Sequence, residues 1–310
     1  MPCDETSGVT SRDEDAFARS VTTAPPDLSI VIPALNEQGR LPHTLEAIRR
    51  YASSRSRSYE IILVDDGSTD ETRPLSLSIA REWPQLRIVT HSRNLGKGGA
   101  VRTGIAVSRG RIVAFTDADL AVPIEELDTL ISFLAHSDVA IASRAIPGSR
   151  LLRRESRVRE ICGRLYARFA CALLLGGVPD AHCGLKAYRG EFARSVFESV
   201  LENGMLFDIE SLVLVTRRGG KIYQHPVPWT HDPASRMRIG LATVPAVILG
   251  VARIKLRHRL LLRLVAIAGP SHALCHNLHV AQPHGNVEGG QGAPVDPDPG
   301  PVVRRSFEQS

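Results

Sequence analysis

The stretch Ile112-Val113-Ala114-Phe115-Thr116-Asp117-Ala118-Asp119-Leu120 decides the fold. Its four leading apolar residues predict a short buried strand, and two carboxylates two positions apart follow at its end. Residues spaced by two on an extended segment point the same way, so Asp117 and Asp119 can converge on one cation. Burying them unpaired would be costly, which puts them at the mouth of a sheet rather than inside it. Mg²⁺ is held by one or two carboxylates together with phosphate oxygens and retained waters, so a metal-bound diphosphate suits such a pair. Many turns contain the same triplet, and the surrounding chain must decide between the two readings.

Upstream, Leu28 to Pro33 and Tyr59 to Val64 read as strands that run into Ala34-Leu35-Asn36-Glu37 and Asp65-Asp66-Gly67-Ser68-Thr69-Asp70. Leu41, Leu45 and Ile48 share one face of a helix expected from Leu41 to Ala52. Thr69 or Asp70 can cap a further helix with Pro74 in its first turn, where a missing N–H costs little. A third strand is expected at Leu86 to Thr90 and a helix at Gly98 to Ser108. Past the D-x-D strand come a helix from Pro123 to His136 and a strand from Asp138 to Ser143. Strands alternating with helices imply a mostly parallel sheet flanked by helices, and ligands bind beyond the carboxyl ends of such strands. The polar clusters at Asn36-Glu37, Asp65-Asp66 and Asp117–Asp119 all fall at those ends, which favours a cleft over chance turns.

In the second half, strands are expected at Cys183 to Tyr188 and Lys221 to Val227, with a helix at Phe207 to Arg217. Arg150 to Arg168 carries seven arginines against two glutamates, interleaved with Ile161, Leu165 and Phe169, and reads as a basic amphipathic helix. No Asp or Glu occurs from Pro233 to Val287, while Arg236, Arg238, Arg253, Lys255 and Arg257 add positive charge. The uncharged run from Ile239 to Ala252 is 14 residues, shorter than a membrane span needs. The expected organisation is a disordered leader at 1–26, a catalytic domain at 27–238, a basic interfacial helical segment at 239–268 and a disordered tail at 269–310.

With 43% hydrophobic and 23% charged residues in 310, a sizeable core is expected. Aromatics are only 5%, few for stacking bases along a groove, so no nucleic-acid partner is expected. The five cysteines are odd in number and include no C-x-x-C pair, against a disulfide framework or zinc site and in favour of a reducing cytosol. The amino terminus lacks a signal-peptide pattern. A cytoplasmic protein lying peripherally on the inner face of a membrane is expected.

Asp65 or Asp66, as acceptor-only carboxylates, can take the imide N–H of uracil or guanine, or ribose hydroxyls, and Glu37 can do similar work. Asn94-Leu95-Gly96-Lys97-Gly98-Gly99 is a glycine-rich turn opening a helix, a shape that admits phosphate to backbone N–H groups, with Lys97 adding charge. It is not a P-loop, because Gly98 follows Lys97 and the spacing differs.

These motifs occur in the order and spacing of the inverting nucleotide-sugar glycosyltransferases of family 2. Asp180-Ala-His-Cys183-Gly184-Leu-Lys186, Phe207-Asp208-Ile-Glu210 and Pro226-Val-Pro-Trp229 with Ala234-Ser235-Arg236 resemble the dolichyl- and polyprenyl-phosphate hexosyltransferases, nearest the dolichyl-phosphate β-glucosyltransferase branch. The resemblance implies a GT-A type nucleotide-sugar-binding fold. It also implies Pro33, Leu35, Glu37, Asp65, Asp66 and Lys97 around the nucleotide, and Asp117 and Asp119 on the sugar and a Mg²⁺ or Mn²⁺ diphosphate. Arg144, Ser235 and Arg236 would face phosphates, and Asp180, Asp208 and Glu210 would orient groups. Ala121 stands where mannosyl relatives often carry Gln or Ser, Arg236 where Lys is usual, and Ala234 where Gly is usual. The implied reaction moves a hexose, glucose from UDP-glucose in the first instance, to a polyprenyl or dolichyl phosphate at an anionic membrane surface. GDP-mannose as donor, a hydroxyl acceptor, or a non-catalytic nucleotide-sugar-binding module are the alternatives.

Overall fold

A computed structural model describes residues 24–153, 171, 173–175, 177–230 and 248–257. A seven-stranded sheet forms its centre, in the order β3-β2-β1-β4-β7-β5-β8. The strands are β1 (Leu28–Ala34), β2 (Tyr59–Asp65), β3 (Leu86–Thr90), β4 (Ile112–Phe115), β5 (Val139–Ser143), β7 (Lys186–Arg189) and β8 (Ile222–Pro226). β6 (Arg150–Arg153) and β9 (Pro228–Thr230) form a separate parallel pair. The helices are α1 (Leu41–Ser53), α2 (Thr72–Arg81), α3 (Lys97–Ala106), α4 (Glu126–Phe133), α5 (Gly190–Glu198) and α6 (Phe207–Arg217). Residues 248–257 are also helical and are called α7.

β1 shows why the sheet is covered on both sides. Leu28, Ile30 and Ile32 are buried in one apolar cluster with Leu45 and Ile48 of α1 and Leu127 and Leu130 of α4. Val31, pointing the other way, joins Val101 and Ile105 of α3, Phe197 of α5 and Leu212 of α6. Near-continuous apolar strands are what two buried faces demand.

β7 breaks the parallel pattern: it runs antiparallel to both β4 and β5. It is also shorter than expected, beginning at Lys186 rather than Cys183, because residues 183–185 turn in against the D-x-D loop. α4 likewise spans less than Pro123 to His136, with turns at 124–125 before it and 134–136 after it. α5 is not among the expected helices, and no side chain caps its start. Arg150–Arg153, expected as the start of a basic helix, is instead β6, and the rest of that arginine-rich stretch, 154–168, lies outside the described residues. The leader through 23, Ser235 and Arg236, most of 239–268 and the tail also lie outside them.

Candidate active site

β1, β2 and β4 are parallel and aligned, with Ala34 opposite Asp65 and Val31 opposite Phe115, so their carboxyl ends open on one edge. The loops after β1 and β2 are tied together there. Asn36 donates its N–H to Ser68 Oγ at 2.9 Å and its Oδ1 accepts the Thr69 N–H at 2.7 Å. Asp70 Oδ1 accepts the Thr72 N–H at 3.0 Å in a turn just before α2, but the N-cap residue is Glu71, without a side-chain cap, rather than the Thr69 or Asp70 that the sequence suggested. Ala34 ends the aligned part of β1, with Pro33 before it and Leu35 after it, both partly exposed. Glu37 is engaged by Arg40, whose Nε and Nη2 donate at 2.7 and 2.8 Å, beside an open depression of about 440 Å³ lined by Asn36, Arg40, Thr69 and Asp70.

The neighbouring carboxylates Asp65 and Asp66 differ. Both Asp66 oxygens are used internally: Oδ1 by the Leu95 N–H at 2.9 Å and by His91 Nδ1 at 2.7 Å, and Oδ2 by the Gly96 N–H at 2.8 Å. Asp66 therefore shapes the glycine-rich turn. Asp65 Oδ1 accepts the Ser68 N–H at 3.0 Å, while its buried Oδ2 has no hydrogen-bond partner among the described residues. A buried acceptor without a partner is uncommon, and its place at the cleft makes Asp65 Oδ2 a candidate ligand-binding atom.

Asp117 and Asp119 follow β4 and are also unequal. Lys97, the first residue of α3, sits 2.5 Å from Asp117 Oδ1. Burial pushes the Asp117 carboxyl up, but Lys97, with Lys186 and Arg144 beyond it, more than offsets this and holds it below the usual range. Asp119 is raised, first by burial and then by the charge of Asp117, and only the Ala121 N–H among the causes at its own loop opposes this. Leu120 between them has φ +45°, an uncommon state for a leucine that marks a constrained turn. The turn is pinned from two sides: Thr44 Oγ1 donates to Ala118 O at 2.5 Å, and the Thr230 N–H to Ala121 O at 2.9 Å.

Behind this pair lies a row of buried charges. Lys186 is fully buried on β7, its Nζ 2.5 Å from Asp208 Oδ1 and 2.8 Å from Cys183 O. Arg144, just past β5, grips Asp180 through Nε and Nη2, both at 2.8 Å, and lies 5.3 Å from the Trp229 ring. Burial would raise Asp180, but Arg144 outweighs it and holds the carboxyl far below its usual value. Burial brings His182 down to about 4, so its imidazole is neutral at physiological pH.

Gly184 is required by close approach: a Cβ there would fall on the Asp117 carboxylate. Gly184→Ala is expected to lower turnover by about 10²-fold through misplacement of that group, while circular dichroism stays unchanged. Loss of less than threefold would show that the Lys97–Asp117 geometry is not limiting.

Among the expected residues, Pro33, Leu35, Glu37, Asp65, Asp66, Lys97, Asp117, Asp119, Arg144, Asp180 and Asp208 are described, whereas Ser235 and Arg236 are not. The motif reading passed over Lys186 as a site residue. Its signal was a lone lysine in the otherwise apolar run Leu185-Lys186-Ala187-Tyr188. His91 was also missed, although it follows β3 as Asp65 ends β2. The hard oxygen donors of Asp117 and Asp119 suit Mg²⁺ or Mn²⁺, and the charge of Asp117, which adds to burial in raising the Asp119 carboxyl, is one that a cation there would offset. No group of three His, Cys, Asp or Glu is gathered among the described residues, so phosphate and water would complete such a shell.

Fold and site together define a glycosyltransferase of the GT-A class. The model of glycosyl transferase family 2 matches residues 29–197, and the chain belongs to that family. It is 33% identical over 223 residues to dolichyl-phosphate beta-glucosyltransferase of Dictyostelium discoideum, covering 68% of each chain. With the Saccharomyces cerevisiae protein of that name it shares 31% over 238 residues, covering 70% of this chain and 71% of the relative. With the Homo sapiens one it shares 30% over 224 residues, covering 68% and 69%. Glucosyl-3-phosphoglycerate synthase from Mycobacterium tuberculosis, in complex with Mn²⁺, UDP and glucosyl-3-phosphoglycerate, superposes with a TM-score of 0.51 at 22% identity, covering 82% of this chain and 86% of the other. That likeness concerns the fold alone.

Proposed function

We propose that the chain transfers glucose from UDP-glucose, with inversion, to a dolichyl or polyprenyl phosphate at a membrane surface. The observation that carries this reading is identity of 30–33% to dolichyl-phosphate beta-glucosyltransferases across a site that gathers Asp119, Asp117, Lys97 and Arg144. In this reading Asp65 Oδ2 accepts the imide N–H of uracil, with Pro33, Leu35 and Glu37 around the nucleoside. Asp119 is the principal ligand of Mg²⁺ or Mn²⁺, because Asp117 is already engaged by Lys97. When bound, the metal supplies positive charge to the leaving diphosphate.

Lys97 and Arg144, joined by Ser235 and Arg236, would neutralise phosphates. Asp180 and Asp208 act at one remove, orienting Arg144 and Lys186. A lipid monophosphate is anionic near neutral pH, so its oxygen attacks the anomeric carbon without a general base. The new carbon–oxygen bond forms on the face opposite the departing UDP, which takes the electron pair of the bond that breaks. Positioning and charge stabilisation are then the protein's whole contribution.

One observation supports action at a membrane surface: α7 leaves Ile248, Leu249 and Leu256 at least half exposed, at 50%, 68% and 61%. No helix among the described residues is long and apolar enough to cross a membrane. Each basic residue near an anionic surface adds about 1 kcal/mol of attraction, enough in combination for reversible docking.

Incubation of the purified chain with labelled UDP-glucose, Mg²⁺ and dolichyl phosphate vesicles tests the reading. Label is expected in the butanol-extractable fraction, less from GDP-mannose, and none after EDTA. Absence of lipid-linked label from every common nucleotide sugar would sink it.

A further inference from the structure

α7 is fastened to the catalytic domain by two arginines, and what they grip lies one step from Lys97. Arg253 Nε and Nη2 donate to Glu202 Oε1 and Oε2 at 2.9 and 2.7 Å. Arg257 Nη1 is 3.5 Å from Glu202 Oε1 and donates to Glu210 Oε1 at 2.9 Å. Glu210, fully buried on α6, uses its other oxygen to accept the Leu201 and Glu202 N–H groups at 2.8 and 2.7 Å. Val251 and Ile254 of α7 are buried beside these pairs. Four charged side chains thus converge on the short segment at 201–203.

That segment is the wall against which the glycine-rich turn is built. The Gly98 N–H donates to Asn203 O at 2.7 Å. A Cβ on Gly98 would lie 2.5 Å from Glu202 O, and one on Gly96 2.6 Å from Asn203 O. Lys97 sits between those two glycines and reaches Asp117. A path of direct contacts therefore runs from α7 through Glu202 and Glu210 to the 201–203 backbone, to Gly96 and Gly98, and to the Lys97–Asp117 pair.

We propose that Arg253 and Arg257 are positioning residues: by clamping Glu202 and Glu210 they hold the 201–203 segment so that Lys97 meets the donor diphosphate. The inference rests on Lys97 as a diphosphate ligand in the function proposed above. It makes α7 a support of the nucleotide site, acting through the 201–203 segment. Glutamine at either position keeps a hydrogen-bond donor but loses the forked charge that grips two oxygens.

The full chain and its variants R253Q/R257Q, R253K/R257K, K97M and R253Q/R257Q/K97M are compared by titration calorimetry of UDP in Mn²⁺, by kcat and KM, and by thermal melting. The glutamine pair is expected to weaken UDP binding and lower kcat about tenfold, with partial recovery in the lysine pair. In the K97M background the glutamine pair is expected to cost nothing further, the non-additivity of residues acting through one group. An additive loss in that background, or no loss in the parent, overturns the proposal. Should the glutamine pair fail to fold, R253Q alone, at a side chain 56% exposed, carries the same cycle with the same criteria. A chain that binds UDP but transfers no sugar refutes the glucosyl-transfer reading and leaves the binding cycle decisive, whereas a chain that does not bind UDP overturns both.

Discussion

Asp119→Ala is expected to remove glucosyl transfer, by about 10³-fold or more, while the protein melts as before. The carboxylate stands at the cleft mouth, where its removal deletes charge without opening the core, and among the described residues its hydrogen-bond donor is the Ala121 N–H at 3.1 Å. The same group sets a pH dependence. Asp119 is raised above the ordinary 3.8, chiefly by burial and then by Asp117. A protonated carboxyl cannot hold a cation, so metal-assisted UDP binding is full above the raised value and fades as pH falls through it. The fade therefore begins at a higher pH than an ordinary aspartate would give. Calorimetry of UDP in Mn²⁺ from neutral pH downward, in the parent and in Asp119→Asn, checks both statements. Activity surviving in Asp119→Ala would overturn the assignment, and so would a pH profile shared by parent and asparagine variant.

Lys186→Ala is expected to be the most destabilising single change at the site. It leaves Asp208, whose side chain is 4% exposed, as a buried charge without its partner. Breaking such a pair costs about 3–5 kcal/mol, which for a domain of this size lowers the melting temperature by about 10 °C. Replacing both members, as in Lys186→Met with Asp208→Leu, is expected to regain most of that loss, because two apolar side chains remove the unpaired charge. The double variant should still transfer poorly, since the buried charges behind Asp117 help hold it ionised. A single variant that melts within about 2 °C of the parent would contradict the buried pair.

Much of the site was legible because its chemistry is written in short segments. Asp117 and Asp119 are two apart, Asp65 closes an apolar run, and Lys97 lies between glycines at a helix start. Local periodicity also located β3 and α6 to the residue, and β1, β2 and α1 to within one. Division of labour within the pairs was not legible. Whether Asp65 or Asp66 stays open depends on Leu95, Gly96 and His91, which lie about thirty positions downstream. The inequality of Asp117 and Asp119 likewise depends on Lys97, which arrives from another element. Arg150–Arg153 misled because arginines interleaved with apolar residues suit an amphipathic helix, whereas pairing with β9 selects an extended backbone there.

By itself the sequence determined the alternating architecture and the identity of the residues at three strand ends, since apolar spacing and turn chemistry act over a few neighbours. Only the tertiary structure decided that β7 enters antiparallel between β4 and β5, carrying Lys186 into the core. Only it joined α7 to the Lys97 turn through Glu202 and Glu210. Those outcomes depend on which distant charges find partners once water is excluded, and the free energy of a buried charge is set by the whole fold around it.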